Sequence, residues 1–177
     1  CATAMKYKSV VRIVLFLLGG ILSLQAMATE VGPRTLTLDG RLYDVSFSNP
    51  IKDDVDFKIQ ILNPAKDCII YEELQLAIDT NATDGYFNLQ VGTAAGDVTK
   101  RTATTDNAIE MWQIFQNSAP ISTNDVGCPG SQYTPVAGDI RYIRIEVTPA
   151  ATGTPEVLSP DMVVDSVPNA LSCESIA

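Results

Sequence analysis

Val55-Asp-Phe-Lys-Ile-Gln-Ile-Leu62, then Asn63-Pro-Ala-Lys-Asp67, then Cys68-Ile-Ile-Tyr-Glu-Glu-Leu-Gln-Leu76: this stretch decides the fold. Apolar and polar residues alternate from Val55 to Ile61, so one face of an extended chain is apolar and the other wet. Asn63-Pro64 and the polar residues after it read as a turn, and Cys68–Leu76 reads as the returning strand of a hairpin. The same alternation recurs on both sides. Thr35-Leu-Thr-Leu-Asp-Gly-Arg-Leu-Tyr43 places Leu36 and Leu38 on one face. Asp79–Asp84 is turn material ending at Gly85, Tyr86–Val91 alternates again, and Gly92 ends it. Asp139-Ile-Arg-Tyr-Ile-Arg-Ile-Glu-Val147 is the strongest strand. Gly96–Asp106 and Ser118–Gly138 are irregular, and Pro149–Pro155 is a turn. In Ala108–Asn117, Ile109, Trp112 and Phe115 recur every three residues, which predicts one short amphipathic helix with Trp112 in the core. Short strands punctuated by Gly and Pro with one helix predict a mainly β fold, an antiparallel β-sandwich or small barrel.

Outside this body the chain changes character. Cys1–Ala4 precedes Met5 and reads as an upstream extension. Lys6, Lys8 and Arg12 then lead into the apolar run Ile13–Leu24, and Ala26-Met-Ala28 supplies small residues for cleavage before Thr29. Residues 5–28 therefore read as a secretory signal peptide, too short and Gly-interrupted to span a membrane. Residues 29–158 read as a β-rich head domain. Residues 159–177 read as an extended tail, with Pro160 and Pro168 fixing φ and pushing Ser159 and Val167 toward extended backbone. Ala170 and Leu171 then begin a segment with helix-compatible spacing.

Charge and composition exclude several classes of function. After the leader, nine Lys and Arg stand against twenty-one Asp and Glu, a net charge of about −12. That opposes nucleic acid and anionic lipid. The chain has no histidine. Ser–His–Asp and Cys–His catalysis are thereby excluded, and ordinary zinc sites nearly so. Adjacent residues on a strand face opposite ways, so Glu72 and Glu73 do not form an acid/base pair. Asp53-Asp54 lies in a turn, the oxygen-rich Asp79–Gly85 reads as a plain loop, and Asn81-Ala-Thr83 is a glycosylation sequon by pattern alone. Arg141 and Arg144 read as surface residues paired with strand acids. The residues point to a secreted binding or structural domain and not to an enzyme, with no cofactor and no metal.

Three cysteines follow the leader, and in an exported protein two of them are expected to pair. Cys68 and Cys128 lie within the domain and are the expected disulfide. Cys173, on the tail, is then a free thiol or an interchain one.

Six motifs in order carry a resemblance that covers the chain after its leader. They are Leu36-Thr-Leu-Asp-Gly-Arg-Leu42, the hairpin Phe57–Glu73, Gly85–Gly92, Phe115–Asn117 followed by the Cys128 loop, Tyr133–Arg141, and Leu158–Leu171. Together they resemble the N-terminal domain of the surface fibre proteins of predatory bacteria of the Bdellovibrio type, the mosaic adhesive trimers. That family usually has an aromatic residue after the Val-Pro, where this chain has Asn169.

The resemblance implies a homotrimeric fibre at the cell surface, with this domain ahead of a stalk and a tip that binds a surface polysaccharide or protein receptor. Pro160, Val167, Pro168, Ala170 and Leu171 would form the lead-in to that stalk, and Cys173 would meet its copies. Two other readings compete: a lectin-like module binding glycan or protein, for which Tyr133 and Tyr142 are the candidate platforms, and a pilus-type subunit assembled by donated strands. All three place the protein outside the cytoplasm, in the periplasm, on the outer surface or beyond it, without membrane insertion after the leader is removed.

Overall fold

The alternating segments do become strands. The computed structural model describes residues 34–44, 46–94 and 97–164, which lie in one compact unit spanning Val31–Ala177. The upstream extension, the signal peptide, Val167, Pro168, Ala170, Leu171 and Cys173 lie outside the described residues.

Two antiparallel sheets form the layers. In the larger, β2 (Asp54–Leu62) is central, between β3 (Ile69–Asp79) and β7 (Arg141–Pro149). The free side of β7 carries β8 (Glu156–Val157) and β9 (Met162–Val164). Register aligns Phe57, Ile59 and Ile61 with Val147, Ile145 and Ile143 on one side, and with Gln75, Glu73 and Tyr71 on the other. All nine are buried, so they form one inward face. The opposite face is polar, with Lys58 paired to Glu146 at 2.6 Å.

The second layer is a ribbon of β1 (Leu36–Arg41) and β4 (Tyr86–Val91). Its inward residues are Leu36, Leu38, Phe87, Leu89 and Val91, and Phe87 packs its ring 4.9 Å from that of Phe57. Gly40 makes this possible: it stands opposite Phe87, and a Cβ there would lie 2.8 Å from the ring. The result is a two-layer antiparallel β fold, with no closed barrel among the described residues.

Bulges adjust the fit. At Ala77 (φ 53°) β3 carries an extra residue, held by a 2.8 Å bond from the Ala77 N–H to the Asp56 carboxylate. A second irregularity, near Leu62, lets Ile70 and Tyr71 both turn inward. β5 (Ile121–Ser122) and β6 (Gln132–Tyr133) pair as a small separate ribbon inside the expected irregular stretch.

Two expectations need correction. The helix is one turn, α1 (Met111–Ile114), and it buries Met111 and Ile114. Trp112 is only half-buried and stands outside the core cluster. The helix cannot start earlier because Ala108 has φ 52° and the Ile109 carbonyl accepts from Arg101. The tail does not leave the domain at Ser159 either. Residues 158–161 stand opposite only Arg144 and Ile145, an excess of two, and Met162–Val164 then rejoin β7. Asp161, at this excursion, accepts from Arg144 Nε and Nη2 at 3.1 Å and pairs with Lys66 at 3.4 Å.

Candidate functional site: a groove beside the first strand

β1 pairs with β4 alone, so its other edge carries no strand among the described residues. Along that edge opens a groove of about 490 Å³. Its floor is the inward face of β7, represented by Ile143, Ile145 and Val147. Leu158, Pro160 and Met162 form one wall, and β1 forms the other. Alternate residues of β7 line the groove, whereas β1 lines it with every residue from Thr37 to Arg41. The groove therefore meets β7 by its face and β1 by its edge. Its size is that of an ordinary ligand cleft, and its apolar lining is core that the two-stranded layer does not reach.

Hydrogen bonds to one carboxylate shape the mouth. Asp44 folds the loop from Tyr43 to Pro50 by accepting from Ser46 N–H, Ser46 Oγ, Ser48 N–H and Asn49 Nδ2 at 2.7–3.1 Å. The side-chain bonds from Ser46 and Asn49 hold its carboxyl well below the usual range. This loop presents Phe47 at φ 55° and 83% exposed on the groove rim. A bulky residue in left-handed backbone with its ring in water is a strained arrangement that core packing does not explain. Arg41 sits 5.1 Å from the Tyr43 ring centroid and 4.9 Å from that of Tyr86, and also pairs with Asp84. Its charge is thus spoken for. Asp39 and Glu156, also on the lining, are exposed and form no ion pair among the described residues.

Elsewhere the polar residues are structural. Glu73 is fully buried and accepts from Tyr71 Oη, Gln75 Nε2, the Gly92 and Thr93 N–H groups and Thr93 Oγ1. Burial pushes its carboxyl up, but these bonds outweigh that and hold it below the ordinary value. Burial first, and then Glu73, drives the Tyr71 phenol upward. Beside them Arg101 lies 4.1 Å from the Tyr71 ring centroid and pairs with Asp106 at 2.6 Å. Glu72 lies on the other face and receives Gln60 at 2.6 Å and Thr105 at 3.1 Å. The two acids are separated by the strand, as alternation requires.

Arg141 is not the surface residue its sequence context implied. It is 1% exposed and donates to the Ile114 carbonyl at 3.0 Å, to Asn117 Oδ1 at 2.7 Å and to Tyr133 Oη at 3.1 Å. Tyr133 in turn donates to Asp139 at 2.6 Å. Burial lowers the Arg141 pKa, but the guanidinium remains charged. Burial, helped by Asp139, raises the Tyr133 phenol. Tyr133 is consequently no ligand platform, since its ring is buried and its hydroxyl engaged. Tyr142 is half-buried with Lys66 4.0 Å from its ring centroid, so that face is covered too. Arg144 makes the pair expected of it, with Asp161.

Cys68 and Cys128 are joined, as expected. Among the described residues no group of His, Cys, Asp or Glu could hold a metal, and no helix is long and apolar enough to cross a membrane. Sequence reasoning missed the groove and the exposed aromatic residues Tyr43 and Phe47 on its lining. The available signal was Phe47 inside a Ser/Asn/Asp loop, where turn chemistry would otherwise favour small polar residues. No family model matches the chain, and no curated protein or solved structure matches it either.

Proposed function

We propose that this chain is a non-enzymatic structural and adhesion domain, exported and built into a trimeric cell-surface fibre. The observation that carries the reading is the outer edge of the large sheet. β8 and β9 pair with β7 only, and Val157, Met162 and Val163 on them are 51%, 42% and 55% exposed. An open strand edge bearing apolar side chains is a surface for pairing with another chain. The disulfide supports a role outside the cytoplasm. Export, the trimer and the polysaccharide or protein receptor are parts of this proposal.

Light scattering of residues 29–177 without reductant tests it. The expected mass is three chains, and Val163→Lys is expected to shift that mass toward one chain by placing charge on the shared edge. A monomer at every concentration would remove the fibre reading for this domain.

A further inference from the structure

The groove beside β1 goes beyond the fibre reading, because it opens between the layers, with β8 and β9 supplying only one wall, whereas the fibre reading uses their free outer edge. A strand edge supplies unpaired backbone donors and acceptors at regular spacing, which an extended polypeptide satisfies along its length. The floor offers apolar residues at alternate positions of β7, and a strand laid over it presents side chains with that same period. Among the described residues the two lining charges without an ion pair, Asp39 on β1 and Glu156 on β8, are both negative, while the one cation on the lining, Arg41, already has partners.

We propose that the groove receives an extended segment of a different polypeptide, which joins β1 as a third strand of the small layer. Its inward residues are apolar and cover Ile143, Ile145 and Val147. Its outward residue is basic where it passes Asp39, and its end is basic where it meets Glu156, which shares the face of Val147. Charge selects against a second copy of this acidic chain as the donor.

The test uses residues 29–177 and a synthetic capped peptide, Lys-Val-Thr-Ile-Thr-Val-Thr-Val-Lys. Two controls accompany it, one with both Lys replaced by Glu and one with the central Thr replaced by Pro. Affinity is read by titration calorimetry, and placement by amide exchange. The Lys peptide is expected to bind about tenfold more tightly than the Glu peptide and to slow exchange in Thr37–Arg41. The Pro peptide is expected to lose most of the binding, because it breaks the ladder. In the double variant Asp39→Lys, Glu156→Lys, whose changes lie on the surface, the preference is expected to invert.

Absence of binding by the Lys peptide overturns the proposal, as does equal binding of the Pro peptide or protection that avoids β1. Protection of β1 that grows with protein concentration alone would identify a second copy as the occupant, and overturns it too. Because the readout is binding at β1, a monomeric mass by light scattering would refute the trimer without touching this result.

Discussion

At the scale of single residues, buried charge organises the interior. Glu73 lies where a solvated acid would be the default, but five donors from β3, Gly92 and Thr93 converge on it. Replacing it by Gln turns one acceptor into a donor among donors. Glu73→Gln is expected to cost about 2–3 kcal/mol in urea denaturation, with the slope unchanged. The pH sign follows from its lowered pKa. Above the ordinary value of 4.5 its stabilisation is fully present, and it is lost as pH falls below that value. The variant is therefore expected to show a flatter loss of stability on acidification below about pH 4.5 than the parent. The residues involved were legible in part. Tyr71, Glu73 and Gln75 share one parity on β3, as Arg141 shares the parity of Ile143, Ile145 and Val147. Period-2 patterning thus groups these polar side chains with apolar ones, although its charge alone makes Arg141 read as a surface residue. What it could not supply was the set of partners, which arrive from residues far away in sequence.

At the scale of elements, the strands followed from alternation and the helix did not. β1, β2, β4 and β7 each bury one parity, so a local pattern sufficed. The three-residue spacing around Trp112 was equally regular, but Arg101 holds the Ile109 carbonyl and Ala108 adopts a backbone that helices exclude, leaving one turn. Tertiary hydrogen bonding overrode the local period. The β8–β9 segment misled for a similar reason: its prolines indicate extended chain, but only pairing with β7 decides whether extended chain stays in the sheet. Between β1 and β4 the decisive contact is the ring of Phe87 over Gly40. Gly40→Ala is expected to displace that ring from Phe57 and to cost about 1–3 kcal/mol. Thermal unfolding checks this, and a midpoint equal to the parent's would show that the ring moves freely.

At the scale of the whole molecule, the disulfide joins the β2–β3 turn to the loop ahead of β6, 60 residues apart. Constraint of the unfolded chain gives it a stabilising effect of about 4 kcal/mol on the loop-entropy account. Cys128→Ser, or full reduction, is expected to lower the urea midpoint by that amount divided by the slope. An unchanged midpoint would mean that the core alone holds the two regions together. The position of Asp161 bears on loading as well as on folding. Tension applied beyond Val164 acts first on the end of β9, so its short ladder on β7 opens one pair at a time. Peeling then reaches Asp161, gripped by Arg144 and Lys66, before it reaches Leu158 and the core. β9 thus behaves as a short slack length with a brake at its root, yielding under load while the body of the domain stays folded.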